Sequence, residues 1–289
     1  MIKYTIKDKD VEIKCVNFDS ILDQYEFLKY FVQSDNFGTV REVNKQDNFY
    51  GKRKFKDSLN GMMYGFQDDT QYFLDSISNV TKDTESNDGI GMDVEGYAYD
   101  MFSVINNIPE CCLTMSSPST KPYIKIMVDV CFSCWYTAEE IRNRGIAITN
   151  LINTLLINGC VVDLCFMELN VQSDLNVMYT VKVDTELLPI SNIAFICSPE
   201  YFRKIGFCTI DAIRERKSED GRGRSKVFDF MLKKFKKDKL FFIGGSFTNP
   251  DLTQEKLETV NSANKYILEI FKKYCEENKI VLNIDSINK

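Results

Sequence analysis

The residues best placed to do chemistry are Asp129-Val130-Cys131-Phe132-Ser133, at the end of an apolar run and just before a helical pattern. An Asp and a Ser two pleats apart at a strand's carboxyl end can both turn oxygen toward a hard cation such as Mg2+. The plainer alternative is that Asp129 and Ser133 cap the helix that follows. Cys131 and Cys134 overlap this run as a Cys-x-x-Cys at a strand-to-helix junction, where a helix N-terminus favours thiolate and a redox pair can sit. Core packing is the alternative there, because most of the ten cysteines fall in apolar runs.

A third group is basic. Arg214, Arg216, Arg222, Arg224 and Lys226, followed by Lys233, Lys234, Lys236, Lys237 and Lys239, form a segment able to touch phosphates. Phe228, Phe230 and Phe235 stand among them at core-like spacing rather than as stacking platforms, so a solvated basic face explains the same pattern. The acidic stretch from Asp83 to Glu95 misses a calcium loop, because Asp88 and Val94 fall where that loop needs Gly and Glu. Gly244-Gly245 follows a strand but lacks the Gly-Lys-Ser/Thr of a phosphate loop.

Composition narrows the chemistry. The 289 residues include no histidine, which excludes Ser-His-Asp triads, Cys-His dyads and His-based zinc peptidases. A net charge of −6 argues against a general nucleic-acid coat. No apolar run reaches the roughly 18 residues of a membrane span. The charged N-terminus does not read as a signal peptide, so the cysteines are expected to be reduced and the protein cytoplasmic or virion-associated.

The elements that must position these groups fall into two regions. Residues 1–117 read as mainly helical with short strands at the start. Helices are expected over 19–33 and 58–79, with a polar loop over 81–95. Residues 118–289 alternate strands and helices: strands at 123–132, 161–171, 176–185, 239–247 and 279–284, and helices at 137–160, 190–216 (broken near Pro199) and 252–278. Thr137 and Glu140 form a capping box. The short turn at 172–175 makes the third strand antiparallel to the second. The expectation is a three-layer, Rossmann-like α/β sheet with one antiparallel edge strand.

Asp129 to Ser133, with this order of elements, resembles the first metal motif of von Willebrand factor A domains, an Asp-x-Ser-x-Ser run. The resemblance covers about residues 122–285 and implies a Mg2+ site at the top of the sheet. Cys131 stands in place of the first serine, and thiol is a poor Mg2+ ligand. Thr185 is a loose candidate for the family's later threonine, and Gly244-Gly245-Ser246 occupies the place of its later Asp. The resemblance therefore implies an incomplete metal site with Asp129 and Ser133 as ligands. A second resemblance, to uncharacterised phage and plasmid proteins, rests on SLNGMMYGF (58–66), YAYDMFSVINNIPECCLTM (97–115) and Arg142, Arg144 and Gly145. It implies a mobile-element setting. Three functions remain open: a non-enzymatic interaction or assembly module with a protein partner, a nucleic-acid accessory protein using Arg214–Lys239, and a Cys-x-x-Cys redox protein.

Overall fold

The computed structural model describes residues 1–8, 11–33, 49–66, 90–93, 98–99, 112–115, 122–171, 175–185, 190–214 and 226–280. The chain folds as an α/β protein around a mixed six-stranded sheet. Its strands are β1 (Ile2–Asp8), β2 (Val11–Phe18), β6 (Tyr123–Asp129), β7 (Val161–Asn170), β8 (Asn176–Val183) and β9 (Phe241–Ile243), in the spatial order β1-β2-β8-β7-β6-β9. β3 (Ile90–Asp93), β4 (Ala98–Tyr99) and β5 (Cys112–Met115) form a separate antiparallel sheet. Ile90–Asp93 therefore lies in a strand where the polarity of 81–95 had suggested loop, because antiparallel pairing with β5 outweighs local propensity.

β7 and β8 are antiparallel, as the short connection requires. β8 is not an edge, however. β2 pairs with it in parallel, with Cys15 opposite Met178, and β1 forms the edge. The boundary expected between residues 117 and 118 thus runs through one sheet, since β1 and β2 share it with β6 to β9.

Seven α-helices are described: α1 (Ile21–Gln33), α2 (Phe55–Tyr64), α3 (Ala138–Ile157), α4 (Ile190–Ile196), α5 (Phe207–Arg214), α6 (Lys226–Lys237) and α7 (Val260–Asn278). Strand alternation sends Ile124, Ile126, Val128, Leu164, Phe166 and Val181 into a large core shared with every helix group except α6. The opposite pleats, Ile13, Cys15, Met167, Leu169 and Met178, meet Val227, Phe228, Met231 and Phe235 of α6. Helices cover both faces, and α6 covers the second.

Local sequence sets the boundaries. α3 begins at a full capping box, with the Thr137 side chain on the Glu140 N–H and the Glu140 carboxylate on the Thr137 N–H. The helix expected from residue 252 is divided into a 3-10 turn at Gln254–Leu257 and α7, which is capped by Thr259 on Ser262. Asn143 closes that break by donating to the Leu257 and Glu258 carbonyls. Residues 67–79 and 281–284, expected as helix and strand, lie outside the described residues.

Candidate functional site

Two adjacent parallel strands, β6 and β9, end side by side, and loops leave both at the sheet's carboxyl edge. Asp129 closes β6 and is fully buried. Its Oδ1 accepts the Cys131 N–H at 2.9 Å, and its Oδ2 accepts the Thr248 hydroxyl at 2.6 Å and the Gly245 N–H at 3.2 Å. The carboxylate therefore ties the loop after β6 to the loop after β9. It does not cap α3, whose cap is Thr137. Burial pushes the Asp129 carboxyl above its ordinary range, while the Thr248 hydroxyl, the Cys131 N–H, Arg144 and the Gly245 N–H pull it back.

The positive charge at this edge is built in. Arg144, on the buried face of α3, donates to the carbonyls of Asp129 at 3.1 Å, Ile243 at 2.9 Å and Gly244 at 3.0 Å. Its guanidinium also lies 4.9 Å from the Phe132 ring centroid. The two strand ends thus share one guanidinium. The loops approach so closely that a Cβ on Gly245 would stand 2.0 Å from the Cys131 carbonyl oxygen. The Ser246 N–H bonds that same carbonyl at 3.2 Å.

Ser133 faces the same edge in a different role. Its N–H donates to Ser246 Oγ at 2.6 Å, and its carbonyl accepts from Arg203 at 3.2 Å. Arg203 is fully buried on a π-helical turn, Tyr201–Gly206, and also reaches the Tyr136 carbonyl at 2.6 Å and the Phe49 carbonyl at 2.7 Å. Beside it, Lys204 donates to the Arg53 carbonyl, and Glu200 accepts the Lys52 N–H at 3.1 Å. Gly51, at φ +83°, lets the backbone pass Glu200, whose carboxyl carbon a Cβ there would meet at 2.6 Å. This turn clamps residues 49–53 to the sheet edge.

These residues do not fit a Mg2+ ion. Mg2+ takes oxygen atoms with open lone pairs in near-octahedral array, whereas Asp129 is met by two N–H groups and a hydroxyl proton. Ser133 is tied into this edge through its N–H and its carbonyl. Among the described residues no three Asp, Glu or Cys side chains converge on a metal position. Thr185 ends up at the other end of the sheet, because β8 runs against β7, and its hydroxyl bonds the Val162 carbonyl at 3.0 Å.

Of the basic residues, Arg214 is buried, and its guanidinium bonds Asn170 Oδ1 at 2.9 Å and the Leu175 carbonyl. Arg216, Arg222 and Arg224 lie outside the described residues, and Lys226 opens α6. Lys233, Lys234, Lys236, Lys237 and Lys239 are exposed, on the side of α6 away from its buried Phe228, Met231 and Phe235 and just past its end. Cys131 is buried and Cys134 exposed, and neither is in a disulfide. Sequence reasoning missed Thr248 and the carbonyl-gathering role of Arg144. Thr248 carries a faint signal, a hydroxyl three residues past Gly245 in a strand-end loop. It also passed over Trp135, the chain's single tryptophan, which stands on the β6–α3 loop 77% exposed. Gln254 Nε2 holds its carbonyl at 2.8 Å.

The chain belongs to the DUF7192 family, a domain of unknown function, which matches residues 8–273. No curated protein and no solved structure matches it. In this DUF7192 protein the family match takes in β2 as well as the strands past residue 118, in keeping with their shared sheet. Among the described residues no helix is long and apolar enough to cross a membrane.

Proposed function

We propose that this DUF7192 protein is a non-enzymatic protein-interaction or assembly module of a phage or another mobile element, cytoplasmic or virion-associated. Its partner surface is the carboxyl edge of a von Willebrand A-like sheet. The observation that carries the reading is Trp135, a large aromatic side chain held out to solvent on a loop whose base is fixed by Asp129, Arg144 and Arg203. Exposed aromatic anchors on rigid supports are the side chains that dominate protein interfaces. The von Willebrand A-like likeness is supported by the central β6 with parallel neighbours β7 and β9, and by β8 as an antiparallel third strand. The setting rests on the resemblance of residues 58–66 and 97–115 to phage and plasmid proteins. On this reading the metal site is incomplete, and Arg144 supplies a cation at the edge.

The test is equilibrium binding to the products of the neighbouring genes, read by titration calorimetry and repeated with EDTA. Trp135→Ala should weaken binding by roughly tenfold or more, the scale of an interface anchor, and leave the melting temperature unchanged. Equal binding by the variant, or turnover of a small substrate by the wild type, overturns the reading.

The exposed lysines of α6 favour a second reading, contact with nucleic-acid phosphates. A mobility shift at low salt that disappears at physiological salt supports it. No shift at low salt removes it, because electrostatic contacts are strongest there.

A further inference from the structure

β1 is an outer strand of the six-stranded sheet, at the opposite edge from β9. Its inner side pairs with β2 along its whole length, from Ile2 opposite Asn17 to Asp8 opposite Val11. Among the described residues no strand pairs with its outer side. Such an edge presents backbone N–H and C=O groups ready to take another strand. The side chains along it lie open as well. Met1 to Thr5 and Lys7 are exposed, and Ile2 and Tyr4 keep 57% and 39% of their surface in water. Ile6 is drawn in against the core cluster that α6 covers.

Alternation puts Ile2, Tyr4 and Ile6 on one face of β1 and Lys3, Thr5 and Lys7 on the other. Large apolar side chains open to water on an outer strand are met in folded proteins by a partner or guarded by charge. Lys7 is drawn back to Glu12 on the neighbouring strand at 3.1 Å, so its charge is not aimed off the edge. A second copy, related by a two-fold along the sheet normal, runs antiparallel and keeps like faces together. With the two Tyr4 side chains opposite each other, Ile2 lies opposite Ile6 of the second copy and Lys3 opposite its Thr5. Apolar then meets apolar on one face, and ammonium meets hydroxyl on the other. Other positions of the axis are worse. Centred on Thr5, it sets Lys3 against Lys7 of the second copy; centred on Lys3, it sets the two Lys3 side chains together. Like charges directly opposite oppose pairing. Centred on Ile6, it leaves Ile2 and Lys3 opposite residues beyond β1.

We infer that the chain pairs with a second copy of itself through β1, with the two-fold at Tyr4, so that two six-stranded sheets join into one. The interface is isologous, the same strand on both copies. A single strand pair is smaller than a standard interface, so association in the micromolar range is expected. The inference does not rest on the Trp135 surface, which lies at the carboxyl ends of β6 and β9 towards the other edge of the sheet. That surface stays open in both copies.

Sedimentation velocity on the full chain from about 1 to 100 µM tests it, a range that brackets micromolar association. Wild type should pass from monomer to dimer across that range. Tyr4→Lys sets two ammonium groups opposite each other at the axis and should raise the dissociation constant about tenfold or more. Its melting temperature, taken on dilute monomer, should stay close to wild type, because Tyr4 is a partly exposed edge residue. Cross-linking reads the register at two exposed positions, and decides even if Tyr4→Lys does not fold. Lys3→Cys combined with Thr5→Cys should give a covalent dimer on mild oxidation, because the two positions lie directly opposite across the axis. Each single variant should give no more than the wild-type background. A wild-type chain that stays monomeric throughout overturns the inference. So does a dimer that a folded Tyr4→Lys leaves intact, or a double variant that fails to cross-link. Cross-linking by Thr5→Cys or by Lys3→Cys alone also overturns it, since the axis would then lie on that residue and bring lysines together.

Discussion

Replacing Thr248 with valine removes one hydroxyl and keeps the volume and branching of the side chain. The hydroxyl donates to Asp129 Oδ2 at 2.6 Å in a region closed to solvent, and Thr248 itself is buried. A hydrogen bond to a charged group contributes about 1.5–3 kcal/mol, and a buried carboxylate left with an unfilled lone pair keeps its desolvation cost. For a chain of this size each kcal/mol moves the melting temperature by about 2–4 °C. Thr248→Val should therefore melt roughly 3–12 °C below wild type. The metal arm decides between the two roles of Asp129. If Asp129 serves as a cross-link to Cys131, Gly245 and Thr248, Mg2+ makes no differential contact with the native state, and only a ligand that binds the native state raises stability. Wild type should give the same melting curve in millimolar Mg2+ and in EDTA, and Asp129→Ala should lose more than Thr248→Val in both buffers, since it strands three donors. Differential scanning calorimetry reads all of this. A Mg2+-dependent rise for wild type that vanishes in Asp129→Ala would refute the argument, because the carboxylate would then be a ligand rather than a cross-link.

Other outcomes follow from the same contacts. Gly245→Ala should cost more stability than Gly159→Ala, because the first Cβ meets the Cys131 carbonyl at 2.0 Å whereas the second meets nothing within 4 Å and adds only the strain of a left-handed φ of +73°; comparative thermal melts check it. Iodoacetamide under native conditions near pH 8, read by mass spectrometry, should label Cys134 and spare Cys131 and Cys197, which are buried; rapid labelling of Cys131 would count against a closed edge. Burial raises the Cys197 thiol to about 12, well above its unfolded value near 9. Its contribution to stability is thus full below about pH 9 and is lost as pH rises toward 12, so Cys197→Ala should flatten the alkaline fall in stability over that window.

How far the sequence reveals this molecule depends on the span of each interaction. The Thr137–Glu140 capping box and the antiparallel β7–β8 pair are legible because their determinants lie within a few residues. The parallel pairing of β2 with β8 is not, because nothing near Cys15 names Met178 as its partner. The same division runs through the site. Asp129 stands out at the end of an apolar strand, but its donor on the β9 side, Thr248, comes from a loop more than a hundred residues away. Arg214 reads as one cation in a basic run, and only the folded chain brings Asn170 and the Leu175 carbonyl to it. Of the three phenylalanines whose spacing in the sequence looks core-like, Phe228 and Phe235 are buried together with Met231, and Phe230 is only partly buried.

At the carboxyl edge the cation that meets the strand ends is part of the chain. Strand ends leave carbonyl oxygens without ladder partners, and those groups must be met by donors once buried. Here Arg144 gathers the Asp129, Ile243 and Gly244 carbonyls, and Arg203 gathers the Ser133 and Tyr136 carbonyls. A guanidinium with five fixed donors does this without leaving or exchanging, unlike a bound ion. The loop between Asp129 and Thr137 is therefore anchored at Cys131, Ser133 and Tyr136, while Trp135 projects from it into solvent. Fixing the base of an exposed aromatic side chain reduces the ordering cost of binding through it. Loss of either arginine's contacts should loosen the loop while leaving Trp135 in the sequence. Arg144→Met, which keeps much of the side chain's bulk, should weaken a partner that docks on Trp135 even under conditions where the variant remains folded. Undiminished affinity in a folded Arg144→Met protein would separate the tryptophan from its support and remove the link between the buried charge and the surface.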